Sequence, residues 1–172
     1  IPGVATAQST VGVYFDGPGV MHYSPGAGEW FEGYLYLHNA EYYVTAIEYQ
    51  LLTPMDPTHA LIMEGPVTYP DNSELQMGTP FTGNSITFWP PLNGFIPGYN
   101  LLATVLFYAP SGCEGLSDYA FVVGPHPDTG WLRACYYPNN YYFYPAGLTS
   151  ILCPVETAVE EESWGAIKSL YR

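Results

Sequence analysis

Positive charge is what this chain has least of. Among 172 residues only Arg133, Lys168 and Arg172 are Lys or Arg, against 16 Asp and Glu, and the formal net charge is −13. Phosphate binding rests on clustered cations that release counterions, so nucleic acid is excluded as a partner. Anionic membrane surfaces are excluded for the same reason. Long apolar runs are also missing: the longest, Leu101–Ala109, is too short for a bilayer, and no membrane span is expected. Cysteine is scarce. Cys113, Cys135 and Cys153 allow one disulfide and leave one thiol. Cys113 and Cys153, at the strand–loop junctions Ser-Gly-Cys and Leu-Cys-Pro, are the pair expected in an oxidising compartment, with Cys135 left as a small buried hydrophobe.

Reaction chemistry is absent from the motifs as well. There is no Gly-x-Ser-x-Gly elbow, His-Glu-x-x-His helix, Cys-x-x-Cys pair, P-loop or Gly-x-Gly-x-x-Gly. His22, His38, His59 and His126 are scattered, and His126-Pro127-Asp128 reads as a turn. No catalytic residue, no metal ligand and no cofactor is expected, and the chain is read as a non-enzyme.

What is there in quantity is Gly (18), Pro (17) and Tyr (17), with 48% hydrophobic residues. Gly and Pro cut a chain into short segments, Tyr suits half-buried pleated surfaces, and the apolar content is enough for a core. This length fits one domain. Trp30–His38 alternates, with Phe31, Gly33, Leu35 and Leu37 on one face, and Tyr42–Leu52 returns with Tyr43, Thr45, Ile47, Tyr49 and Leu51 together; the two predict a hairpin. Gly65–Gly83 reads as a long irregular connection with a brief strand at Glu74–Met77. Asn100–Tyr108 is apolar on both faces and predicts a central strand. The fold class that follows is all-β: an antiparallel two-sheet β-sandwich over residues 10–155, with an extended N-terminal arm over 1–9 and a short C-terminal amphipathic helix over 156–172. In that tail Thr157 and Glu160 fit a capping box, and Trp164, Ile167, Leu170 and Tyr171 recur at helical spacing as a docking face.

Three stretches carry a resemblance: Gly12-Val13-Tyr14-Phe15-Asp16, Pro127-Asp128-Thr129-Gly130-Trp131-Leu132-Arg133-Ala134, and the ending Ser163-Trp164-Gly165-Ala166-Ile167-Lys168-Ser169-Leu170-Tyr171-Arg172. They look like a group of uncharacterised secreted bacterial β-sandwich proteins, and the chain also resembles environmental helical filament subunits of the Tsinghua Lotus Pond type, which exchange an N-terminal strand. The resemblance implies a fibre subunit with no catalytic residues to carry over.

The residues suggest a similar reading. A sandwich short of one strand exposes unpaired backbone and an apolar groove, which an arm from another copy can fill; Ile1, Val4, Val11 and Val13 are the side chains for such an assembly arm. Head-to-tail contacts of this kind propagate into filaments. Ala5-Thr6-Ala7 followed by Gln8 looks like the end of a secretory signal, so an extracellular, secreted placement is expected, as a cell-surface or released filament whose partners are further copies of the chain. The alternative is a secreted carbohydrate-binding module that stacks sugar rings on Trp89, Trp131, Tyr137 and Tyr141.

Overall fold

The computed structural model describes residues 8–40, 42–53, 63–94 and 98–155. The first strands in chain order are β1 (Thr10–Phe15), β2 (His22–Tyr23), β3 (Glu29–His38), β4 (Tyr43–Leu52) and β5 (Met63–Thr68). β6 (Ser73–Thr79), β7 (Gly83–Leu92), β8 (Tyr99–Ala109) and β9 (Tyr119–Gly124) follow. β10 (Arg133–Tyr137), β11 (Tyr141–Phe143), β12 (Ala146–Gly147) and β13 (Thr149–Leu152) close the order. One sheet runs β12-β1-β3-β8-β5; the other runs β11-β10-β4-β9-β13-β2 and carries β7 on β4 and β6 on β7. β1–β12 and β13–β2 pair in parallel, the remaining ladders antiparallel.

Alternation drives the two layers together. Val11, Val13, Leu35, Leu37, Val105 and Phe107 of the first sheet face Ile47, Tyr49, Leu51, Ile86, Phe121 and Leu152 of the second, and all are buried. Phe15, Phe31, Phe107 and Phe121 lock one end of this core, with Phe107 and Phe121 centroids 5.0 Å apart and edge-on. Tyr49 brings a hydroxyl into the interior. It accepts from the Asn84 amide at 3.1 Å, and burial pushes its phenol pKa upward.

The β-sandwich is there, and four sequence expectations need correction. β3 and β4 do not form a hairpin: β3 pairs with β1 and β8, β4 with β7, β9 and β10, so they lie in opposite sheets. Both carry a core-facing row, and alternation alone cannot say whether two such rows lie side by side or face to face. Within β4 a register shift between Val44 and Ala46 turns Val44 inward with Ile47, Tyr49 and Leu51 and leaves Tyr43 outside. The stretch read as an irregular connection forms β5, β6 and the start of β7, and β6 pairs with β7 from Ser73↔Phe88 to Thr79↔Gly83.

The last correction concerns the ends. No helix occurs among the described residues, which are all-β; the helix expected over 156–172, with Trp164, Ile167, Leu170 and Tyr171, lies outside them. Ile1 and Val4 also lie outside them. Val11 and Val13 belong to an interior strand: β1 pairs with β3 from Thr10↔His38 to Phe15↔Gly33, and its other edge meets β12. Leu148 N–H donates to the Val11 carbonyl at 2.8 Å, and Ala146 N–H to that of Ser9 at 2.9 Å. Pulling Val11, Val13 and Phe15 out of their own core would forfeit about 5–9 kcal/mol of burial. Val11 and Val13 are therefore not available for donation, and residues 1–7 of the expected arm lie outside the described residues.

Candidate functional site

The outer side of β6, β7, β4 and β10 is built by register. Residues directly opposite on neighbouring strands share a face. Ile86, Ile47 and Ala134 lie opposite one another and point into the core. Their neighbours therefore form outward rows. One row is Met77, Ser85, Glu48 and Arg133; the next is Leu75, Thr87, Ala46, Cys135 and, on β11, Tyr142.

These rows have a shape. Ser85, Thr87, Ala46 and Cys135 make a floor of short side chains. Leu75 and Met77 rise on the β6 side, 52% and 57% exposed, and Arg133 and Tyr142 stand opposite. Arg133 donates from Nε to Glu48 Oε2 at 2.7 Å and from Nη2 to Oε1 at 3.2 Å, while its guanidinium lies 4.4 Å from the Tyr142 ring centroid. Partial burial, the largest single influence, raises the Glu48 carboxyl, but the hydrogen bonds from Arg133 and Thr129 and the Arg133 charge together hold its pKa below the usual value. The result is a shallow trough with an apolar wall and a wall fixed by an ion pair.

One end of the trough opens into an aromatic groove. Between the pairs Ala46↔Thr87 and Val44↔Leu92, β7 has the four residues Phe88–Pro91 against the single Thr45 of β4. Pro90 and Pro91 have no N–H for the ladder, and the extra chain bulges outward there. Trp89 N–H donates to the Asn72 carbonyl and Asn72 Nδ2 to the Pro90 carbonyl, each at 2.8 Å, which ties the bulge to the β5–β6 turn. Tyr43 and Tyr137 are opposite each other on β4 and β10. With Trp89 and Pro91 they line a groove of about 250 Å³.

The four residues expected to stack sugars separate into different places. Trp89 and Tyr137 meet in the groove. Trp131 precedes the far end of β10, about 20 Å along the strand from Tyr137, and packs on Tyr144 with centroids 5.4 Å apart. Tyr141 leans edge-on against Tyr136 at 6.2 Å. Leu75, Met77 and Arg133 were not singled out as binding residues by the sequence, although the i, i+2 spacing of Leu75 and Met77 is a strand signal. Cys113 and Cys153 are joined, Cα atoms 5.5 Å apart, which ties the loop after β8 to the end of β13; Cys135 is free and half-buried on the trough floor. Among the described residues no group of three or more His, Cys, Asp and Glu could hold a metal ion, and no helix is long and apolar enough to cross a membrane.

No protein-family model and no curated protein matches the chain by sequence. Solved structures do match its fold. A non-cellulosomal cohesin from the hyperthermophilic archaeon Archaeoglobus fulgidus is similar at 15% identity, covering 93% of this chain and 98% of that one, with a TM-score of 0.56. The third ScaB cohesin of R. flavefaciens, solved in complex with a group 1 dockerin, is similar at 12% identity over 88% of this chain and 98% of that one, TM-score 0.55. The cohesin module of a Clostridium perfringens family 33 glycoside hydrolase is similar at 12% identity over 87% and 99%, TM-score 0.51. These likenesses overturn the filament resemblance, donor-strand exchange and the homopolymer as partner. Of the two sequence readings, the secreted carbohydrate-binding module fits these likenesses better than the filament subunit. The Cys113–Cys153 bond agrees with its extracellular, secreted placement. The chain has the fold of a cohesin module.

Proposed function

We propose that this chain is a non-catalytic, extracellular recognition module of cohesin type, which docks a distinct partner protein of the dockerin kind across the outer side of β6, β7, β4 and β10. The observation that carries the reading is the trough: a floor of Ser85, Thr87, Ala46 and Cys135 between exposed Leu75 and Met77 and the Arg133–Tyr142 wall. Short side chains let a partner's backbone come close, and exposed apolar walls supply the area that binding removes from water. Two further facts support it. The similar cohesins are matched over 98% or more of their length, and one of them was solved with a dockerin bound. The net charge of −13 selects against acidic partners.

The test is retention of purified dockerin modules on the immobilised chain. At least one dockerin of a diverse panel is expected to be retained, and the double variant Leu75→Asp, Met77→Asp is expected to lose it. A panel that passes through unretained by the folded wild-type chain removes the reading.

A further inference from the structure

We propose that the groove of Tyr43, Trp89, Pro91 and Tyr137 takes a proline-rich peptide segment in the polyproline II conformation, flanked by Lys or Arg. The groove lies beyond the trough, and this ligand holds or fails separately from docking by the flat face.

The walls are rings. Trp89 is 61% exposed, Tyr137 53% and Tyr43 42%, and Pro91 adds a pyrrolidine. Planar apolar walls select a ligand with flat apolar faces, and two chemistries offer them. A pyranose carries hydroxyls around its ring, each of which needs a hydrogen-bond partner on burial; among the described residues this lining holds no polar side chain beyond the indole N–H and the two phenols. A proline segment fits that inventory better. Its prolines have no N–H to satisfy, and its backbone is already extended in solution, so little freedom is lost on binding. Its carbonyls are acceptors for the kind of donor that indole and phenol provide.

Charge chooses the flanks. Asn72, bonded to the Trp89–Pro90 stretch, sits between Asp71 and Ser73-Glu74, and both carboxylates are exposed. Arg133, the only Lys or Arg among the described residues, is engaged with Glu48. Asp71 and Glu74 flank the residue that holds the Trp89–Pro90 stretch, and negative charge there attracts basic flanks and repels acidic ones.

The experiment follows the indole N–H signal of Trp89 by NMR in the full chain, identified by its loss in Trp89→Phe. A synthetic proline-rich peptide with arginine ends is titrated beside its Pro→Ala version, a version with glutamate ends, and cello- and xylo-oligosaccharides. The arginine-ended proline peptide is expected to shift the signal saturably. Pro→Ala replacement in the peptide, or Tyr137→Ala in the protein, is expected to weaken binding roughly tenfold, and glutamate ends are expected to weaken it further as salt is lowered. A shift with saccharides and none with the proline peptide overturns the inference, as does a signal that no ligand moves. A dockerin that is retained and then lost in Leu75→Asp, Met77→Asp, while the proline peptide leaves Trp89 silent, removes the groove ligand and keeps the face. The reverse pattern keeps the groove ligand and removes the face.

Discussion

The outer surfaces of the two sheets are aromatic in different ways. On the β12-β1-β3-β8-β5 side the rings lean on one another: Tyr14 is buried edge-on against Tyr36 at 5.8 Å and Tyr99 at 5.2 Å, and His38 stacks on Tyr99 at 4.3 Å. Trp30, more exposed, still packs on Tyr108 at 4.7 Å. Burial raises the pKa of Tyr14 and Tyr36, and the hydrogen bond to Glu32 pushes Tyr34 up to about 12. On the β6-β7-β4-β10 side the floor is short side chains, and Leu75, Met77, Trp89 and Tyr137 stand half or more exposed at its margins. The first surface satisfies itself with its own rings. The second leaves apolar area uncovered, and area of that kind marks an interaction surface.

Four changes would break or sharpen this contrast. The largest acts on what the two sheets share. Cys113 follows β8 of one sheet and Cys153 follows β13 of the other, 40 residues apart in sequence; the double variant Cys113→Ala, Cys153→Ala should lose roughly 4 kcal/mol of stability in denaturant unfolding. Next is Tyr36→Ala on the self-packed surface, which removes contacts to Tyr14, Tyr34 and Tyr99. It should cost about 1–3 kcal/mol by thermal melting and leave dockerin retention unchanged; lost retention would mean that this surface binds too.

The third effect is smaller and depends on pH. The Glu48 pKa is lowered in the fold, so the Arg133 pair contributes stability above the unfolded carboxylate pKa of about 4.3, and that contribution is lost as pH falls through the lower folded value. Solvent reaches both side chains, so the loss should stay under about 1 kcal/mol. It should vanish from the wild-type-minus-Glu48→Gln difference in acid melts. Smallest in stability is Leu75→Asp with Met77→Asp, expected within about 0.5 kcal/mol although it abolishes docking. A large destabilisation would instead make these side chains part of the fold's own packing.

Much of the sandwich was legible from local pattern. Strand β3 shows Phe31, Gly33, Leu35 and Leu37 on one face in sequence and buries them in the structure, and β8, apolar on both faces, is an interior strand. Pairing was not legible. The hairpin expected of β3 and β4 failed because a core-facing row fits either layer, and β6 was legible only as a brief strand at Glu74–Met77 because its side chains are polar or exposed and it buries no row of its own. The site was legible only in fragments. Trp89 and Tyr137 could be singled out as surface aromatics, but Tyr43 joins them through a register shift in β4 and a four-residue bulge in β7. A bulge changes which side chains share a face, and no count of alternation contains it.

Composition and periodicity by themselves determined an acidic, all-β, two-layer domain with no charge for nucleic acid, because burial period and net charge are local sums over residues. Strand order, the interior position of β1, and the meeting of Leu75, Met77, Tyr142 and Arg133 around one trough were decided only in the tertiary structure. Those depend on which backbone edges pair across long stretches of chain, and the free energy of such pairing belongs to the assembled core rather than to any segment of it.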